Sequence, residues 1–564
     1  MTHPPVAPDS GAGSEPGTGT GASPAAGSGT GTGTGTGSSP GSGLSASAVS
    51  APGSTHAAHP ALLVRGLTVE LPDGTPVLAN LDLTVSGGEC LAIVGASGAG
   101  KSVLARTLLG LTQERRRWNV RSESFTIAGQ ELRRASPRRW RTVRGTAVGL
   151  VLQDALQSLD PLRTIAAEVG EALRIRGVRG AERRAAVITA LAAAGLPDGE
   201  ARLRQRSGEL SGGMRQRALI ASALAANPAL IVADEPTTAL DSATAAHVLA
   251  SFRRIRDRGT ALVLISHDLS AVARVADRIA VLHDGRIVES GQAQQLLEHP
   301  QHAATRALVA AIPRGPKPTP APSATRGEAE PELLRLTGAV REFASPSGGT
   351  VGLRGVDLSL HRGEAVGVVG ESGAGKTTLA RILAGAEALD SGELARVVPS
   401  TRVRLIPQDP FATFDPRWRV DRILRASLRP GADARPAELL RRVGLGPEFL
   451  TRRPASLSGG QRQRIAIARA LAAQPDVLVC DEPVSALDMV TQAGILDLLR
   501  DLQAREGVAL VFVSHDLAAV RTVSDRTLIM RDGHVVEAGP TEHVFSAPQH
   551  PFTRELIAAA GHSV

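Results

Sequence analysis

Two stretches, IVGASGAGKS at 93–102 and VVGESGAGKT at 368–377, obey one pattern: GxxxxGK followed by Ser or Thr. Each comes after an apolar run and before a helical pattern that closes near Gly110 or Gly385, the context in which such a loop cradles phosphate. Few local sequences constrain a fold as tightly. The glycines let backbone N–H groups turn inward, and the next helix adds its positive end. The first loop supplies Gly95, Ser97, Gly98, Gly100, Lys101 and Ser102; the second supplies Gly370, Ser372, Gly373, Gly375, Lys376, Thr377 and Thr378. Lys101 and Lys376 are expected to hold β- and γ-phosphates, with Ser102 and Thr377 as hydroxyl ligands of Mg²⁺.

The chain downstream of each loop also repeats. Apolar runs ending in Asp234-Glu235 and Asp481-Glu482 are succeeded by runs ending in Ser266-His267-Asp268 and Ser514-His515-Asp516. Such near-continuous apolar strands belong to a parallel sheet covered on both faces, whose carboxyl edge is where ligands sit. An acidic pair after a strand is often only a helix cap, and a lone histidine is often structural. Downstream of a phosphate loop, the better reading gives Asp234 and Asp481 to the Mg²⁺ shell and makes Glu235 and Glu482 general bases. His267 and His515 then hydrogen-bond the γ-phosphate.

The repeat sets the domain organisation: a Gly/Ser/Thr/Pro-rich tail at 1–60, a first domain at 61–312, a Pro-rich linker at 313–331 and a second domain at 332–564. The tail cannot bury enough apolar surface to offset the entropy of ordering. The fold class is α/β: two tandem P-loop domains, each with a parallel-sheet core, an antiparallel β subdomain and a helical subdomain.

Composition narrows the function. No apolar run approaches the ~18–20 residues that cross a bilayer, and the longest, AAVITALAAAGL at 185–196, reads as a buried helix. No Lys or Arg precedes Arg65, so the start does not resemble a secretory signal. The two cysteines, Cys90 and Cys480, sit in apolar strands and supply no metal spacing. The net charge of +8 is spread along a chain without tyrosine, which gives no stacking platform for nucleic acid, and none is expected as a partner.

One element remains: LSGG, at 210–213 and 457–460, opening a helix far downstream of each loop. The interval from Ser211 to Asp234 equals that from Ser458 to Asp481. This constellation resembles the nucleotide-binding domains of the ATP-binding-cassette superfamily. The resemblance implies ATP and Mg²⁺ as cofactors and a head-to-tail pair, in which the signature helix of one half caps ATP held by the other. Ser458 and Gly460 would then complete the site of Lys101, and Ser211 and Gly213 that of Lys376. It further implies that Gln153 and Gln408 link the metal to the helical subdomain, and that Asp241 and Asp488 cross the interface. The adenine-stacking aromatic corresponds to Phe343 in the second half but to Leu71 in the first, so nucleotide affinity is expected to differ between two hydrolytic sites.

Within the superfamily, the short Pro-rich linker cannot form the long helical arm of translation-type members, and two isolated cysteines cannot build the zinc sites of repair-type members. EHPQHAATRALVAAIP (298–313) and SAPQHPFTRELIAAAG (546–561) resemble the closing segments of oligopeptide, dipeptide and nickel importer ATPases. ELRRASPRRWRTVRG (131–145) also resembles that family. The resemblance implies an ATPase at the cytoplasmic face of the cell membrane, working with two permease subunits and a solute-binding protein. A soluble ribosome- or DNA-linked machine and a drug-export ATPase are the alternatives.

Overall fold

A computed structural model describes residues 59–113, 118–152, 158–238, 240–318, 330–344, 350–429, 434–485 and 487–561. The tail expected at 1–60, save its last two residues, lies outside the described residues, as do Gln153 and the linker from 319 to 329.

Each half is organised on a six-stranded sheet. In the first half the strand order is Arg286–Gln292, Arg278–His283, Cys90–Val94, Ala261–Ile265, Leu230–Asp234, Val148–Val151. In the second it is His534–Pro540, Arg526–Arg531, Ala365–Gly370, Ala509–Val513, Val477–Asp481, Val403–Ile406. All neighbours pair in parallel except the antiparallel hairpin at the first-named edge. The strand before the first phosphate loop shows why these runs are continuously apolar. Cys90, Ala92 and Val94 face one core, while Leu91 and Ile93 face another. Ala365 and Val369 divide from Val366 and Val368 in the same way. With helices or sheet on both sides, no residue of the strand faces water, and each buried aliphatic side chain contributes about 1.5–3 kcal/mol. Cys90 and Cys480 are fully buried in these strands, and burial pushes both thiols up to about 12.

An antiparallel sheet flanks each core. Strands Glu332–Ala344, Thr350–His361 and Ser391–Arg396 form it in the second half. The first half pairs Leu62–Glu70 with Pro76–Val85 and adds Asn119–Arg121, Ser124–Ile127 and Gln130–Glu131. An extra helix, Pro137–Thr146, capped by Ser136, comes after these strands and buries Trp140 edge-on against Phe125, with ring centroids 5.5 Å apart. Gly110 makes room for it. That residue has φ of 69°, and a Cβ there would lie 2.1 Å from the indole. The helical subdomains carry Gly180–Ala193 and Gly212–Leu224 in the first half, Pro436–Arg442 and Gly459–Ala472 in the second. The helix expected to be buried at 185–196 spans Gly180–Ala193 and is buried on one face only, through Val187, Ala190 and Leu191.

The halves meet along the helices just beyond the acidic pairs. Helix Pro551–Ala559 of the second half packs on Ser242–Asp257 of the first, and Ala303–Ala310 of the first on Met489–Glu506 of the second. Both closing helices start alike: His302 and His550 accept the N–H of Ala304 and Phe552 at 3.2 Å, and Glu289 and Glu537 accept the N–H groups just upstream. These bonds give the repeated Gln-His pair a structural task.

The linker is fastened to the second half by an exchanged cation. In the first half Asp277 accepts from the Cys90 N–H at 2.8 Å and from Arg256 at 3.1 Å. Asp525 likewise accepts from the Ala365 N–H at 2.8 Å, but Gln503 occupies the turn that carries Arg256 in the first half. Lys317 supplies the charge instead, its Nζ lying 2.7 Å from Asp525 and 2.6 Å from Gln503 Oε1. Lys317→Met is expected to lower the unfolding free energy by about 1–2 kcal/mol, since a charged hydrogen bond is lost at a half-exposed carboxylate. Urea titration of the double variant Lys317→Met/Gln503→Arg should recover most of that loss. No recovery would show that the positive charge beside Asp525 is not what Lys317 contributes to stability.

Candidate functional site

The parallel order delivers four loops to one edge of each sheet: those after Val94, Val151, Asp234 and Ile265, and after Gly370, Ile406, Asp481 and Val513. The phosphate loops come first. Gly100 and Gly375 have φ of 104° and 95°. A Cβ on Gly375 would lie 2.7 Å from the Gly352 carbonyl, and one on Gly100 2.8 Å from Leu78 Cδ2. Only glycine fits there. Helices Lys101–Leu108 and Lys376–Leu383 begin without a side-chain cap, so their leading N–H groups point into the loops. Lys101 Nζ donates to the carbonyls of Gly95 and Ala96 at 2.8 and 2.9 Å, and Lys376 Nζ to those of Gly370 and Glu371, both at 2.8 Å. Burial pushes both ammonium groups down, and the charges of Glu235 and Asp488 at one, Glu482 and Asp241 at the other, act against it.

The acid pairs stand opposite. Burial, and then the charge of Glu235, pushes Asp234 up to about 6, and its Oδ1 is buried without a hydrogen-bond partner among the described residues. Asp481 is also raised by burial, and its Oδ1 accepts from the Thr377 hydroxyl at 3.2 Å. Glu235 and Glu482 are held in the left-handed region, φ 49° and 47°, ahead of Pro236 and Pro483. This conformation costs on the order of 1–3 kcal/mol for a side chain of this kind. Their N–H groups are tied to the carbonyls of Ile265 and Val513 at 2.8 and 2.9 Å, which helps to hold the turn.

Each glutamate faces its histidine. His267 Nδ1 lies 3.2 Å from Glu235, and His515 Nδ1 3.3 Å from Glu482. Burial alone would raise the glutamates, but the hydrogen bond and charge of the histidine outweigh it and hold both carboxyls below the usual range. The histidines are raised in turn, because the glutamate partner outweighs their own burial. Near neutral pH each glutamate is therefore an ionised carboxylate held against its histidine. Gln408 Nε2 donates to Glu482 at 2.9 Å; Gln153 lies outside the described residues.

A cavity of about 810 Å³ surrounds Lys376, and one of about 380 Å³ surrounds Lys101. Each borrows from the opposite half: Thr238 and Asp241 line the Lys376 cavity, while Leu487 and Asp488 line the Lys101 cavity. Phe343 lines the former with Arg341 stacked on its ring at 4.7 Å; the latter is lined by Val77, the counterpart of Gly352, and Leu71 takes no part. Thr238 lines both cavities and donates to Glu235 at 3.2 Å. It carries no motif signal beyond its place two residues past Pro236.

The signature serines start their helices as expected, but the starts are not bare. Ser211 accepts from the Met214 N–H at 3.4 Å, and Ser458 forms a reciprocal capping box with Gln461. Their second glycines answer to packing. A Cβ on Gly213 would lie 2.4 Å from Thr244, and one on Gly460 2.2 Å from Thr491. Ser211, Gly213, Ser458 and Gly460 line neither cavity; Gly459 and Arg462 of the same half line that of Lys376.

Comparison with known proteins places both halves in one family. The family described as ABC transporter matches residues 78–238 and 353–485, and the oligopeptide/dipeptide transporter C-terminal region matches 288–338 and 536–561. The peptidoglycan transport ATP-binding protein YejF of Agrobacterium fabrum is 38% identical over 534 residues, covering 89% of this chain and 96% of that protein. The glutathione import ATP-binding protein GsiA of Salmonella paratyphi A is 38% identical over 535 residues, covering 85% and 86%. Among solved structures, the archaeal ribosome recycling factor aABCE1, in complex with stalk protein aP1, superposes with a TM-score of 0.58 at 20% identity, over 85% of this chain and 90% of that one. That likeness is one of fold.

Proposed function

The chain belongs to the ABC transporter family and is an ATPase, and from this premise we propose that it energises import of a peptide, a peptide-like solute or nickel through two separate permease subunits. A solute-binding protein would deliver the cargo, and the chain would sit at the cytoplasmic face of the cell membrane. The observation that carries this reading is the closing segment, which matches the oligopeptide/dipeptide transporter region in both halves. Relatives named for glutathione import and peptidoglycan transport support the same solute class. No helix among the described residues is long and apolar enough to cross a membrane, which fits a division of labour with permease chains.

The two sites fit Mg²⁺ bound with ATP. Their donors are oxygens, and Asp234 presents a buried, unpartnered one. Ser102, Asp234 and Gln153 would hold one ion, and Thr377, Asp481 and Gln408 the other. When bound, the ion would neutralise negative charge on the nucleotide's phosphates. Lys376 and the leading N–H groups of its helix bind those phosphates. Glu482 takes a proton from water as its oxygen bonds to the γ-phosphorus and the bond to the β–γ bridging oxygen breaks, giving ADP and phosphate. His515 orients Glu482 and the γ-phosphate. Glu235, His267 and Lys101 perform the same steps in the first half. The signature starts at Ser211 and Gly213, and at Ser458 and Gly460, close over the nucleotide of the opposite half, and Asp241 and Asp488 mark that crossing.

Phe343 gives the second site an adenine platform that the first lacks. Phe343→Ala is expected to weaken ATP binding at that site about tenfold, within the ~1–3 kcal/mol carried by base–aromatic stacking. Site-resolved photolabelling with an azido-ATP would check it, and equal loss at both halves would refute the assignment. The import reading itself is tested by purifying the tagged chain from gently solubilised membranes and identifying its companions. Two polytopic permeases encoded with a solute-binding protein would support it. Ribosomes, nucleic acid or an export permease would overturn it.

A further inference from the structure

We infer that Ser242 is a positioning residue for the opposite hydrolytic site, acting on His515 through its backbone, and that no equivalent acts on His267. The aspartate caps that precede this position are alike. Asp241 and Asp488 cap their helices identically, accepting from the N–H and hydroxyl of Thr244 at 2.9 and 3.0 Å and of Thr491 at 3.1 and 3.0 Å. The first helical residue then differs. Ser242 reaches across the interface and donates its hydroxyl to the His515 carbonyl at 2.7 Å. Met489, its counterpart, is buried in the core of the first half and presents only a thioether sulfur, 3.2 Å from the Leu269 N–H, two residues beyond His267. Sulfur is a weak acceptor.

The rest of the His515 loop is equally well fixed. The ring meets Glu482, which also accepts from Gln408. Asp516 accepts from Gln492 at 2.8 Å, where the matching position of the first half is Ala245. Among the described residues, the Ser242 bond is the one hydrogen bond to this loop that comes from the other half. It makes the orientation of the Glu482–His515 pair depend on where the first half lies, and so ties hydrolysis at Lys376 to the seating of the two halves. Among the described residues, His267 receives no such bond from the second half. One neutral hydrogen bond at a site where orientation sets the rate corresponds to roughly a three- to tenfold change.

The inference rests on the reading that His515 serves the nucleotide held by Lys376, and the experiment separates the two. In the full chain, Ser242→Ala, Ser242→Thr and His515→Ala are compared by vanadate trapping of azido-ADP, with the label mapped to the half that carries Lys101 or Lys376. Steady-state kcat and KM are recorded alongside. The expected result for Ser242→Ala is a three- to tenfold loss of trapping in the Lys376 half, unchanged trapping in the Lys101 half, lower kcat at constant KM, and restoration by Ser242→Thr. No loss, equal loss in both halves, or no rescue by threonine would overturn it. If His515→Ala also leaves its own half unaffected, the reading of the site fails. If His515→Ala abolishes trapping there and Ser242→Ala does nothing, only the cross-interface role fails.

Discussion

Glu482→Gln is expected to reduce ATP turnover by about a hundredfold or more while nucleotide stays bound, because a positioned general base contributes ~10²–10⁴-fold. The amide keeps the length of the carboxylate and can still meet His515 and Gln408, so the turn at φ 47° and its N–H bond to Val513 survive. What disappears is the ability to take a proton from water. Single-turnover hydrolysis with radiolabelled ATP, read together with filter retention of the bound nucleotide, gives both numbers. Turnover within about threefold of the parent chain would remove Glu482 from the chemistry. The positive φ sharpens the comparison with Glu482→Asp, which keeps the charge but withdraws it by one methylene from His515.

The second large effect concerns partnership between the halves. Ser211→Arg is expected to diminish nucleotide trapping in the half containing Lys376 by about ten- to hundredfold and to affect the half containing Lys101 far less. The serine hydroxyl and neighbouring N–H groups would be lost as donors to a γ-phosphate, and hydrogen bonds to charged groups are worth about 1.5–3 kcal/mol. Ser458→Arg should give the mirror result. The reverse pattern would mean that each signature serves its own half, an arrangement to which the lining of the Lys376 cavity by Gly459 and Arg462 lends interest. Loss of the cap on the Met214 N–H also costs about 1 kcal/mol of helix stability. A thermal melt beside the trapping assay separates that effect from the site-specific one.

The elements of each site are legible in the sequence because they are local. A strand, a glycine loop and a helix start, or a strand ending in two acids, signal themselves within about ten residues, and parallel strand order then brings their ends to one edge. The contacts between halves leave no such trace. Ser242 and His515 are far apart in sequence, and nothing in TALDSAT marks the serine for a carbonyl in another domain. Lys317 looks like one more residue of a Pro-rich tether, because its partner Asp525 is recognisable only once Gln503 is seen in the place of Arg256. In the sequence, Gly213 and Gly460 point to exposed N–H donors, whereas the structure adds a steric demand from Thr244 and Thr491 in the next helix. Whether a signature start faces a phosphate loop of the other half depends on the rigid-body seating of two domains, which no short motif encodes.

That seating has a kinetic consequence. Each closing helix rests on the partner half, and Lys317 holds the first residues of the linker against Asp525. A cassette that must find a second chain pays for every encounter with dilution, and its active fraction rises with concentration when pairing is weak. Here both cassettes lie in one chain, so the encounter is intramolecular, at an effective concentration set by the length of chain between them. ATP hydrolysis by this chain is therefore expected to be first order in protein, with a specific activity that does not fall on dilution.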